Sequence, residues 1–123
     1  MLSNTLINIL RLIHPLHILS DEQEKILKEL LSHYKKDMWL YPGVIKSKVN
    51  LTIENTYRIM RELTEHGYIE EYYELYCGNC HKSTGRYYKT LSELPDEYEC
   101  ENCGYHEVPI ENAALVYKVI INE

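Results

Sequence analysis

The chain has 123 residues, 45% of them hydrophobic and 26% charged, with a formal net charge of −6. This mix excludes wholesale disorder, and no apolar run reaches the roughly 18–20 residues that a membrane helix needs. The opening residues lack the basic start and small-residue cleavage site of a signal peptide. A cytoplasmic protein is expected, and no membrane association. Isolated disulfides are uncommon in that compartment, so the four cysteines need another explanation.

Residues 2–13 predict a short helix with Leu2, Leu6, Ile9, Leu10 and Ile13 on one stripe, closed by Pro15. A lone helix of this length is marginal in water and must pack on something. Residues 1–15 are therefore set apart as an N-terminal amphipathic helix. Its stripe either covers the rest of its own chain or forms a homodimer seam through Leu2, Leu6, Ile9 and Ile13.

Residues 20–76 form the second part. Ser20 and Gln23 have the spacing of a capping box. Ile26, Leu27, Leu30, Leu31 and Tyr34 follow at helical period, with Lys35 and Lys36 expected in the last turn. A second, short helix is expected from about Val44 to Val49. Thr52 is a candidate N-cap for a third helix over 53–66, with Ile53, Thr56, Met60 and Leu63 facing inward. Gly67 suits the left-handed residue that ends a helix. The Tyr-rich run at 68–76 reads as a strand that leads straight into the cysteine region.

Three helices followed by a strand is the order of a winged helix-turn-helix. The stretch LTIENTYRIMRELTEHGYIEE resembles that superfamily through Asn55, Thr56, Tyr57, Arg58, Ile59 and Met60, then Leu63, Gly67, Tyr68 and Ile69. The resemblance implies that the third helix enters the DNA major groove. Thr52, Glu54, Asn55, Tyr57, Arg58 and Arg61 would then face outward, and Asn and Arg are suited to reading adenine and guanine. Lys46 and Lys48 on the second helix would hold phosphates. Charge argues the other way. Glu54, Glu62 and Glu65 make the third helix slightly acidic, and Glu70, Glu71 and Glu74 place acid on the strand that should open the wing.

Residues 77–123 form the third part. Cys77-Gly-Asn-Cys80 and Cys100-Glu-Asn-Cys103 are two C-x-x-C pairs with 19 residues between them. Each pair lets one tight turn present two sulfurs to one ion, and two turns close a tetrahedron around a structural zinc ion. Gly78 and Gly104 are expected to relieve the backbone in those turns. Short strands such as RYYKT, and a final strand ALVYKVII, complete what resembles a zinc ribbon. Iron in a rubredoxin-like site would use the same four sulfurs. Cys77 to His81 also spells the haem c attachment motif, which would leave the second pair unexplained. A redox C-x-x-C lacks a preceding βαβ unit. His81 and His106 read as surface side chains, and Glu93, Asp96 and Glu97 as a solvated acidic loop.

The expected fold is thus α+β, a winged helix-turn-helix followed by a small zinc-ribbon β domain with its C-terminal strand. Four protein ligands leave no open metal position, and no nucleophile with a partner or phosphate loop is present, so a non-enzyme is expected. The pairing of modules resembles transcription-associated proteins, among them the alpha subunit of general transcription factor E and small prokaryotic or phage regulators. It implies a regulator that binds double-stranded DNA. Charge suggests an alternative. Residues 1–68 hold nine Lys/Arg and eight Asp/Glu, whereas residues 69–123 hold four and eleven. An acidic ribbon repels DNA and suits a basic protein surface, which would make the chain a non-catalytic adaptor.

Overall fold

The computed structural model describes residues 1–123. The fold is α+β, with helices α1 (Ser3–Ile13), α2 (Asp21–Ser32), α3 (Pro42–Val49) and α4 (Ile53–Glu65). Its strands are β1 (Trp39–Leu40), β2 (Ile69–Tyr76), β3 (Ser83–Tyr88), β4 (Tyr98–Glu99), β5 (His106–Glu107) and β6 (Ala113–Val119). The larger sheet has the order β1-β6-β2-β3, and β4 and β5 form a separate antiparallel pair. No helix is long and apolar enough to cross a membrane. The chain divides into two compact units: residues 1–70 with 117–123, and residues 71–116.

The first unit is built on aliphatic packing. α1 packs on α2 and α4 and buries Leu6, Ile9 and Ile13. Three of the four residues considered for a homodimer seam are therefore already covered by their own chain, and only Leu2, 61% exposed, is left outside. An eleven-residue helix gains its stability by this burial, which removes the stripe from the surface.

The Ser20 capping box is formed. The Ser20 hydroxyl accepts from the Gln23 backbone N–H, and the Ser20 N–H donates to Gln23 Oε1. The Gln23 amide also donates to the carbonyls of Val49 and Asn50, at 3.2 and 3.1 Å. One side chain thus satisfies the start of α2 and the end of α3 together. α2 stops at Ser32, so Lys35 and Lys36 lie beyond its last turn. The chain tightens there through N–H bonds from His33 to Leu30 and from Tyr34 to Leu31.

α3 starts two residues before the expected Val44, because Pro42 fits the first helical turn. Asn50 ends it with a φ of 60°, a left-handed turn that Asn tolerates. Thr52 caps α4 by accepting from the Asn55 N–H at 3.2 Å. Thr56, Ile59, Met60 and Leu63 are buried. Ile53 is not among them: it is 56% exposed. It is the first residue of α4 and lies before the turn that packs. Gly67, at a φ of 78°, ends the segment as expected. The final strand returns to this unit, where Leu40 pairs with Tyr117 and Trp39 with Lys118.

In the second unit β2 runs directly up to Cys77 and pairs antiparallel with β3, Glu74 opposite Tyr87. β3 takes up Arg86, Tyr87 and Tyr88 of the expected RYYKT strand and ends before Lys89. Glu74 corrects the reading of β2 as an acidic outer strand: it is only 2% exposed. Its carboxylate accepts hydroxyl bonds from Ser83 at 2.6 Å, Tyr76 at 2.8 Å and Tyr87 at 3.0 Å. A buried carboxylate is tolerated only with such partners.

Candidate functional site

Two local structures of the same design bring the four cysteines together. In the first, the Cys77 N–H donates to the Lys82 carbonyl and the His81 N–H to the Cys77 carbonyl, at 3.0 and 2.9 Å. In the second, the Cys100 N–H donates to the Tyr105 carbonyl and the Gly104 N–H to the Cys100 carbonyl, both at 2.8 Å. Gly104 and His81 hold matching places, and both are left-handed, with φ of 75° and 61°. The second turn meets this demand with glycine, as expected, and the first meets it with a histidine. His81 and His106 both expose their side chains.

Gly78 therefore has a different role from the one expected. Its φ is not in the left-handed region; what it supplies is space. A Cβ there would lie 2.6 Å from Glu107 Oε2 and 2.9 Å from Asn112 Nδ2. The Gly78 N–H donates to both Glu107 carboxylate oxygens at 3.0 Å, and Asn112 donates to the same carboxylate at 2.6 Å. Glu107 lies on β5, next to the second cysteine turn, and its carboxylate fastens the first. Nothing in the sequence marked Glu107, because its partner is a backbone N–H 29 residues away.

The four sulfurs lie within 4.8 Å of one another. Cys77 Sγ is 3.6 Å from Cys103 Sγ, and Cys80 Sγ is 3.8 Å from Cys100 Sγ. A disulfide would need about 2.05 Å. A tetrahedral ion about 2.3 Å from each sulfur sets its ligands about 3.8 Å apart, so the spacing fits a four-sulfur metal site. The hydrogen bonds fit too. The N–H groups of Asn79 and Cys80 point at Cys77 Sγ at 3.4 and 3.5 Å, and the Asn79 amide points at Cys103 Sγ at 3.6 Å. Donors of this kind stabilise thiolates and orient metal ligands.

The thiols are unequal. A backbone hydrogen bond at Tyr105, then the Asn79 amide, lower the Cys103 thiol to about 6. At Cys80 a backbone bond at Lys82 has a lowering effect, but burial and the neighbouring thiols prevail and raise it to about 11. Four sulfurs this close cannot all ionise cheaply without a cation between them. Cys77 and Cys100 are buried with Leu75 and Tyr98, whereas Cys103 is exposed.

The residues considered for DNA lie on the first unit. Lys46 and Lys48 are exposed in the last turn of α3. Thr52, Arg58 and Arg61 are exposed along α4, while Asn55 and Tyr57 are half-buried. The Thr52 hydroxyl oxygen is engaged as the cap of α4. Ile53 joins this surface, contrary to the inward position expected for it. No family model matches the chain, and no curated protein or solved structure matches it either.

Proposed function

We propose that this chain is a DNA-binding transcriptional regulator, a winged helix-turn-helix carrying a structural zinc ribbon. The observation that carries the reading is the two-sidedness of α4. It buries Thr56, Ile59, Met60 and Leu63 and leaves Arg58 and Arg61 to solvent, directly after a short helix that exposes Lys46 and Lys48. In this reading Arg58 and Asn55 address base edges, Tyr57 and Ile53 offer apolar contact to a thymine methyl, and the lysines hold phosphates. The burial of Glu74 supports it, since one of the three wing acids is spent inside the protein. Zinc is assigned to Cys77, Cys80, Cys100 and Cys103 because four sulfurs at tetrahedral spacing match its preferred structural site. With every position closed by protein the ion serves stability, and the chain is read as non-catalytic.

The test is selection of a duplex from a random library, followed by titration at two salt concentrations. Arg58→Ala is expected to cost about 1–3 kcal/mol and to relax preference at one base position. Lys46→Ala or Lys48→Ala should weaken all sequences alike and flatten the salt dependence. No duplex binding at low salt would overturn the reading. The second reading, an adaptor that binds proteins, is favoured by the charge division. Residues 71–116 hold nine Asp/Glu and three Lys/Arg, so they carry the whole −6, and the first unit is neutral.

A further inference from the structure

We infer that the cysteine unit carries a docking groove for a basic amphipathic segment of a partner protein. The groove lies between the segments 91–96 and 108–110. Leu91, Val108 and Ile110 line it while remaining 41%, 54% and 57% exposed, and Leu94, Pro95, Ser92 and Asp96 complete a lining of mixed apolar and polar character. A small unit that leaves three large aliphatic side chains open beside one another has spent apolar surface that it could have buried. The hollow has a volume of about 240 Å³. That is below the roughly 300–1,000 Å³ of most small-molecule sites, and suits one or two aliphatic side chains anchored from a partner.

Charge selects the occupant. Residues 90–116 hold seven Asp/Glu and neither Lys nor Arg. Some of these acids have work within the unit: Glu107 holds Gly78, Glu93 accepts the Lys89 N–H, and Glu101 pairs with Arg86 at 3.2 Å. Glu97 faces His106 at 3.6 Å. Asp96 lies in the groove wall itself. A nucleic acid would be repelled here, and so would the same face of a second copy. A helix with apolar residues on one stripe and Lys or Arg beside it satisfies both the exposed aliphatic side chains and the field. None of the lining residues belongs to α3 or α4, so this inference does not depend on the DNA reading.

The test uses the whole 123-residue chain loaded with zinc and three labelled synthetic peptides: Leu at helical spacing among Lys, the same composition scrambled, and the same pattern with Glu for Lys. Anisotropy titration is expected to show the patterned Lys peptide binding about ten-fold or more tighter than either control. The double variant Val108→Ser/Ile110→Ser should remove that advantage while keeping its metal. Asp96→Asn, or added salt, should weaken binding a few-fold. Arg58→Ala should leave it unchanged, which separates the outcome from that of the DNA reading. Equal binding of patterned and scrambled peptides would overturn the inference. So would an unaltered double variant, or wild-type self-association that the double variant abolishes.

Discussion

The first unit buries Ile9, Ile13, Leu27, Leu31, Leu40, Ile45, Val49, Ile59, Met60 and Leu63 at 1% exposure or less. The buried cluster around the cysteines in the second is Leu75, Cys77, Tyr98 and Cys100, so half of its members are candidate metal ligands. The polar interactions differ in the same sense. In the first unit side chains such as Ser20, Gln23 and Thr52 finish helix ends. In the second, Glu74 and Glu107 are anchors in their own right, each gathering donors from other segments. A chain that can bury enough aliphatic surface uses polar groups at its margins. A small unit that cannot do so relies more on polar anchors, and its four clustered cysteines could add a bound metal ion.

This contrast is broken most severely at the four candidate metal ligands. Cys100→Ser should abolish metal binding and unfold residues 71–116, because structural zinc contributes on the order of 10–16 kcal/mol in comparable small domains. Far-ultraviolet circular dichroism should keep most of its helical signal, while tyrosine-region ellipticity from the second unit falls. The reciprocal change is Leu63→Ala on α4. Leu63 is fully buried, and its truncation should cost about 2–5 kcal/mol in urea unfolding. Metal stoichiometry should remain as in the parent chain. Smaller still is Glu74→Gln, which replaces three charge-assisted hydroxyl bonds by weaker ones at about 1–3 kcal/mol. The Gln variant should have a lower unfolding midpoint.

The parts of this fold that were legible are those encoded within a few residues. Ser20 with Gln23, Thr52 as a cap, Gly67 as a stop and each C-x-x-C pair are local patterns, and each physical cause lies inside the pattern. What escaped depends on distant partners. The period that places Ile53 inward is sound, but the first residue of a helix precedes its packing turn. Glu74 sits in a Tyr-rich strand as a surface glutamate could, and its burial is tolerated because the Ser83 and Tyr87 hydroxyls of the neighbouring strand join that of Tyr76 in donating to it. Gly78 looked like a turn glycine, whereas its lack of a side chain admits Glu107. His81 gave no sign that it would adopt the left-handed place held by Gly104. The return of Tyr117 and Lys118 to pair with Leu40 and Trp39 also lies outside any local pattern.

Chelation followed residue by residue tests the difference between the units most directly. The 123-residue protein, any bound metal first identified and counted by elemental analysis, would be titrated with a strong chelator while amide resonances are recorded. One metal ion per chain is expected, with zinc the assigned element. Its removal should collapse the dispersed resonances of residues 71–116 and leave those of α1 to α4 in place. A protein with no bound metal, or one whose cysteine unit keeps its dispersion after the ion has gone, would contradict the claim that metal coordination holds this unit together.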